Sequence, residues 1–379
     1  MVTVRKLTLA AAGPLLLGLL AACGSSSQSS GSNDSPIYFG VSAPVSGNYA
    51  EYGKFYRQGF DLALDEINGS GGVAGRKVEL VWEDSQSDPK QSVPIAQKFA
   101  SDQRIIAELG DFSSPASMAA SPIYERNKLV QYGFTNSSPK FTQGGKYMFS
   151  PGISQAQAEV QQADALAKFG KSVAIIYQNT DWGKTVFDIF SQRAKELGVT
   201  VTYSESYLPS LTDYRPLLIK ARDTSPEIVY DIGYDNDAAL FAQQVKAVGI
   251  TAKVFVQQFT DVGIKLAGKD AEGVITTATW FPEAPIERIQ KFVDAYKKKY
   301  NEVPGAFQVY AYDALKQLAY AAQESGASRD GIFKGLNSLT DLPSVQQGPF
   351  KYESDRRPKP VPAQVVVVKN GALVLAPGN

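Results

Sequence analysis

The sequence predicts an α/β protein made of two doubly wound parallel-sheet lobes. Three observations carry this reading. Short β-rich apolar runs alternate with amphipathic stretches of helical period from Ile37 onward. Runs such as Val173-Ala174-Ile175-Ile176 are apolar on both faces, as parallel strands covered by helices must be. The alternation restarts after Pro151, which divides it into two βα sets.

In the first set, Ile37 to Ser42 reads as a strand and Tyr52 to Ile67 as a helix that ends at Asn68 and a glycine cluster. Val78 to Trp82 is the next strand. Asp88 then caps a helix with Pro89 in its first turn, and Val93, Ala96 and Ala100 share one face of it. Ile105 to Leu109 is a strand, Pro115 to Asn127 a helix and Leu129 to Phe134 a strand. In the second set, helix Gln155 to Phe169 leads to strand Val173 to Tyr177, helix Gly183 to Leu197 and strand Val199 to Tyr203. Helix Tyr214 to Ala221, strand Ile228 to Ile232, helix Ala238 to Val248 and strand Val254 to Gln257 follow. The last third has strand Gly273 to Thr279, helices Ile286 to Tyr300 and Phe307 to Gln323, and short strands near Pro349 and at Ala363 to Val368.

Ahead of these elements, residues 1–22 read as a secretory signal: Arg5 and Lys6, an apolar stretch from Leu7 to Leu20 too short to span a bilayer, and small residues at the cut. Cys23, the single cysteine, follows Leu20-Ala21-Ala22, an ending that resembles the lipobox of bacterial lipoproteins. That resemblance implies lipidation of Cys23 and anchoring to the bacterial cell membrane on its periplasmic or surface face. Gly24 to Ser35 is Gly/Ser-rich and polar, so residues 23–35 read as a flexible tether. The alternative is an ordinary cleaved signal in which Cys23 is only a small residue near the cut.

Removing 22 residues from 379 leaves 357, enough for two domains. Loss of Arg5 and Lys6 takes the balance of 38 basic and 38 acidic residues to −2, with no basic stripe to attract nucleic acid. There is no histidine, which excludes Ser-His-Asp and Cys-His catalysis and removes the commonest transition-metal ligand. No enzyme activity, metal or cofactor is implied. Gly69-Ser70-Gly71-Gly72-Val73-Ala74 matches a loose dinucleotide pattern but follows a helix instead of a strand. Gly263 to Lys269 resembles the start of a phosphate loop, with Asp270 where a hydroxyl residue is needed.

In open α/β sheets, ligands sit beyond the carboxyl ends of the strands. Strand Ile105 to Leu109 runs into Gly110-Asp111-Phe112-Ser113-Ser114-Pro115, and the next strand into Thr135-Asn136-Ser137-Ser138-Pro139. Two hydroxyl-rich loops on adjacent strand ends suit a carboxylate. On spacing alone, helix caps and turns account for them equally well. Tyr52, Trp182 and Tyr234 also follow strands, and Phe307 opens a late helix; each alone fits rim packing, and together they suggest walls for an apolar or amphipathic ligand.

From Ile37 to about Leu375 the chain resembles the leucine/isoleucine/valine-binding family, type I periplasmic solute-binding proteins of ABC importers. The segments that carry the resemblance are Ala43 to Gly53, Ile67 to Asp84, Ser87 to Val93, Gly110 to Glu125, Phe134 to Pro139, Gln178 to Gly183 and Leu266 to Val274. It implies two lobes joined by a three-segment hinge, with residues 36–151 plus 281–348 in one lobe and 152–280 plus 349–379 in the other. It also implies a monomer that binds a small amino-acid-type ligand, branched-chain by preference, and presents it to a membrane permease. By the same resemblance Ser114 and Ser137 hold the ligand carboxylate, Thr135 offers a backbone carbonyl to the ammonium, and Tyr52, Trp182, Tyr234 and Phe307 wall the side chain.

Residues Gln257 to Asp261 do not cleanly supply the family's ammonium-binding acid. Asp261 is the nearest, with Asp235 and Asp237 as alternatives. An ammonium buried without a counter-charge costs several kcal/mol, so an amide or small carboxylate is the alternative ligand. A sensory lipoprotein without a transporter and a surface hydrolase using carboxylates are the other functional readings.

Overall fold

The structure, a computed structural model, describes residues 35–376. The signal, Cys23 and the tether up to residue 34 lie outside the described residues.

The first sheet is parallel throughout. It comprises β1 (Ile37–Ala43), β2 (Val78–Asp84), β3 (Ile105–Gly110), β4 (Val130–Tyr132) and β5 (Met148–Phe149), in the order β2-β1-β3-β4-β5. Every residue of β3 is buried, which explains its apolar run. Helices α1 (Ala50–Gly69), α2 (Pro89–Ser101), α3 (Ser114–Arg126) and α4 (Pro139–Gln143) connect the strands. The Asp88 carboxylate accepts from Lys90 N at 2.8 Å and starts α2, with Pro89 as its first residue.

The second sheet contains β6 (Ser172–Gln178), β7 (Thr200–Tyr207), β8 (Ile228–Ile232), β9 (Lys253–Val256), β10 (Ile275–Ala278), β11 (Gln364–Lys369) and β12 (Ala372–Leu375). Their order is β12-β11-β10-β9-β8-β6-β7. Helices α5 (Gln155–Leu166), α6 (Asp181–Glu196), α7 (Arg215–Asp223), α8 (Asp235–Ala247) and α9 (Asp261–Ala267) accompany it.

This sheet is mixed, where the sequence reading expects a parallel one: β11 runs antiparallel to β10, and β12 antiparallel to β11. The hairpin follows from Asn370-Gly371, both at positive φ (54° and 75°), between the paired Lys369 and Ala372. The strand expected near Pro349 is a single bridge between Leu342 and Phe350.

The chain leaves the first sheet after β5, returns after β10, and crosses again before β11. The returning helices α10 (Glu287–Tyr300), α11 (Ala306–Ser325) and α12 (Arg329–Ser338) pack against the first sheet's elements. Tyr312 and Lys316 of α11 reach Glu66 of α1, and Arg329 of α12 donates to Ile105 O of β3 at 3.0 Å. The fit of α11 on α1 depends on Gly59, where a Cβ would lie 2.2 Å from Gln308 O. Among the described residues, no helix is long and apolar enough to cross a membrane.

Candidate functional site

Strand order reverses at β1 in the first sheet and between β6 and β8 in the second, and loops at the carboxyl ends of such strands diverge to leave a crevice. A cavity of about 530 Å³ lies there, within the size range of small-molecule sites. It is lined by residues from both sheets' loops.

On the first sheet's side, Asp111 fixes the loop after β3. Its buried carboxyl accepts from Ser42 (3.0 Å), Ser87 (2.8 Å), Ser92 (3.4 Å) and Phe112 N (2.6 Å). Burial pushes its pKa up, and these hydrogen bonds pull it back. Ser113 caps α3, its hydroxyl accepting from Ala116 N at 3.4 Å. Ser114, one residue on, lines the cavity, and among the described residues its hydroxyl has one hydrogen-bond partner, a long contact from Ser138 N at 3.5 Å.

Ser137 lines the same cavity with a hydroxyl that meets no hydrogen-bond partner among the described residues. Its carbonyl accepts from Gln155 N at 2.8 Å, tying this loop to the start of α5. The Thr135 hydroxyl is occupied: it accepts from Tyr56 at 3.1 Å and donates to the carbonyls of Asp111 and Phe112, both at 3.2 Å. Thr135 lines the cavity all the same.

On the second sheet's side, Thr180 caps α6 by accepting from Gly183 N at 3.1 Å, which seats Trp182 in the first turn. Trp182 stacks on Tyr234 with centroids 4.5 Å apart and planes 23° apart. The rings continue across to Phe112, 5.0 Å from Tyr234, and Phe307, 6.0 Å from Phe112. Trp182, Tyr234, Phe112 and Phe307 all line the cavity.

Tyr52 does not line it. Its ring stacks behind Phe112 at 4.0 Å, and its hydroxyl donates to Asp235 Oδ2 at 2.7 Å.

The three candidate acids separate clearly. Asp235 is fully buried and accepts from Tyr52, Gln258 Nε2 (3.0 Å), Thr260 N (2.5 Å), Thr260 Oγ1 (2.9 Å) and Gly263 N (3.2 Å). Asp237 accepts from Gln178 Nε2, Tyr214 and Tyr234 N, and burial pushes its pKa up to about 6. Neither lines the cavity, and both have their lone pairs engaged by the protein. Asp261 lines it, and among the described residues no protein donor reaches its carboxylate. Burial raises the Asp261 pKa, with the nearby Asp235 and Glu283 adding to it, the condition that a ligand cation reverses.

The sequence reading passed over two lining residues. Phe112 sits in the serine loop itself, where its ring completes the aromatic wall. Glu159, one turn into α5, is 1% exposed, and burial pushes its pKa up to about 8. Its Oε1 accepts from Gln257 Nε2 at 2.9 Å, while Oε2 has no partner.

The profile of the periplasmic binding protein family matches residues 36–372. The chain belongs to this family. Its members are solute-binding proteins, not enzymes, and they work outside the cytoplasm. The chain is 28% identical over 331 residues to Leu/Ile/Val-binding protein homolog 1 of Brucella suis, covering 85% of each. A solved ABC transporter substrate-binding protein of Desulfitobacterium hafniense in complex with Leu matches with TM-score 0.77 and 26% identity, over 90% of this chain and all of that one. A leucine-binding protein of Thermotoga maritima shares the fold with TM-score 0.82 at 24% identity, over 90% and 97% of the two chains.

Proposed function

We propose that this protein is the substrate-binding component of an ABC importer, and that it takes an amino acid between two lobes that close on it. The lobes are residues 36–151 with 281–348, and 152–280 with 349–376, and the three crossings between the sheets act as the hinge. Residues 1–22 are the signal, and lipidated Cys23 is the membrane anchor.

The observation that carries this reading is a cavity with two nearly unpartnered hydroxyls, Ser114 and Ser137, on one sheet's side, and the Trp182–Tyr234 stack and the Asp261 carboxyl on the other's. Hydroxyls and loop N–H groups hold a carboxylate, and Asp261 answers an ammonium. The rings, together with the Leu/Ile/Val and Leu names of the relatives, support a largely apolar side chain, branched-chain amino acids first among them. A ligand touching both sides favours the closed form by its differential contacts.

Calorimetric titration of the full chain and of Ser114→Ala with Ser137→Ala tests this. The double variant should lose at least a hundredfold in amino-acid affinity, since each hydroxyl donates to a charged acceptor worth about 1.5–3 kcal/mol. Equal affinity in both proteins would remove the carboxylate assignment.

A further inference from the structure

The family reading leaves one feature of the cavity wall unused. Among the described residues, the buried acids Glu108, Asp231 and Glu159 have carboxyl oxygens without a partner, and of these Glu159 lines the cavity; Asp111 and Asp235 accept the donors described above. Asp313 accepts from Ser344 Oγ, Val345 N and Gln346 N. Glu159 is as buried as these, and it lines the cavity with one carboxyl oxygen bonded to Gln257 and the other without a donor. An unsatisfied buried polar atom costs about 1–3 kcal/mol, more if charged, and because Glu159 opens on the cavity, a donor that arrives there can satisfy this oxygen.

The surroundings of Glu159 agree. Gln162, Gln257 and Thr277 line the cavity with it, a polar stretch of wall where a purely aliphatic side chain calls for hydrocarbon. Gln257 Oε1 is held by the Tyr230 hydroxyl and Gln162 Oε1 by that of Thr277, so both amides are fixed in orientation. The charge of the wall points the same way: Glu159, Asp261, Glu283 and Asp313 face one cation, Lys359. Glu159 comes from the second sheet's side, and Ser114 and Ser137 from the first's, so a ligand engaged by both has polar groups at both ends.

We propose that Glu159 is a specificity-determining residue, and that the bound amino acid carries a side chain ending in a nitrogen hydrogen-bond donor, an amide or a cation, that meets Glu159 Oε2. This rests on the amino-acid reading above and replaces its branched-chain preference with a polar-tipped side chain. The rings grip the methylene part of such a side chain, as they would leucine, and Glu159 decides among chains that share that part.

The test is calorimetric titration of the full-length protein, Glu159→Gln and Glu159→Leu with leucine, glutamine and lysine, with circular dichroism melts to confirm folding. Glutamine or lysine should bind the unmodified protein at least tenfold more tightly than leucine. Glu159→Leu should erase that preference, with glutamine and lysine falling at least tenfold to leucine's affinity or below. If Glu159→Leu does not fold, Glu159→Gln decides alone: it keeps glutamine and loses lysine more than tenfold if the donor is a cation, and weakens glutamine relative to leucine if the donor is an amide. Leucine as the tightest of the three, or a preference untouched by the folded variants, overturns the proposal. If leucine binding also depends on Ser114 and Ser137, the amino-acid reading survives that result; if none of the three binds, both fall.

Discussion

Tyr52→Phe removes one contact that joins the two halves of the cleft. The Tyr52 hydroxyl belongs to α1 of the first sheet and donates to Asp235 Oδ2 of α8, in the second, at 2.7 Å, while accepting from Gln258 Nε2 at 3.0 Å and Asp235 N at 3.3 Å. Removing it keeps the ring and its 4.0 Å stack on Phe112. A buried hydrogen bond to a carboxylate contributes about 1.5–3 kcal/mol. The lower end applies, because Asp235 keeps its donors from Gln258, Thr260 and Gly263, Gln258 Nε2 keeps Asp235 Oδ2 as its acceptor, and the bond lost by Asp235 N is a long one of 3.3 Å. A second link, Asn236 Nδ2 to Asn48 O at 2.7 Å, persists in the variant.

The closed form should therefore lose about 1.5 kcal/mol, and where the free protein is mostly open the ligand Kd should rise about tenfold. The loss should fall mainly on the dissociation rate, because the contact forms only once the halves meet. Calorimetry and stopped-flow dissociation on wild type, Tyr52→Phe, Asp235→Asn and the double variant give the coupling, expected above about 1 kcal/mol. A Kd change under twofold, or additive single effects, would refute a closure contact.

Other expectations follow from the same coordinates. Asp261→Asn should weaken an amino acid by at least about 2 kcal/mol, roughly thirtyfold, and leave its deaminated carboxylate analogue unchanged; calorimetry with the pair checks this. In the ligand-free protein Glu159, raised to about 8 by burial, binds a proton that the unfolded chain releases near its ordinary value, so stability without ligand should fall as pH rises from about 4.5 to 8, and a donor bound at Oε2 takes that proton's place. Asp237 and Asp313, both raised to about 6 by burial, add the same sign below that pH; Glu159→Gln should therefore flatten the slope in urea melts chiefly between pH 6 and 8, and an unchanged slope there would contradict the burial argument. Gly59→Ala should cost about 1–3 kcal/mol in thermal unfolding, since its Cβ would meet the Gln308 carbonyl where α11 lies on α1.

The strands and caps that depend on local sequence were readable. Asp88 is a short polar residue placed before a helical period, and β3 and β8 are apolar at nearly every position because helices cover both faces. Two elements carried signals that the sequence reading did not use: the Asn370-Gly371 turn that makes β11–β12 a hairpin, and Ser328 before α12, whose hydroxyl accepts from Gly331 N at 3.0 Å.

In the site, Ser114, Thr135, Ser137, Trp182, Tyr234, Phe307 and Asp261 come together around one cavity, and Tyr52 stands behind it. What separates the acids was not readable, because it is decided by partners far along the chain. Asp235 is taken up by Tyr52, 183 positions away, and Asp261 is left free. Glu159 gave no local signal at all. On its own sequence it is a polar position in α5, and it becomes buried only where that helix meets Gln257, 98 positions later, at the cleft.

The most direct measurement is a crystal structure of the protein with a calorimetrically verified amino acid. The ligand carboxylate should lie within hydrogen-bond distance of Ser114 Oγ and Ser137 Oγ, with the ammonium toward Asp261 and the side chain between Trp182 and Phe307. A ligand bound elsewhere, or one whose carboxylate points away from both serines in this cavity, would contradict the account.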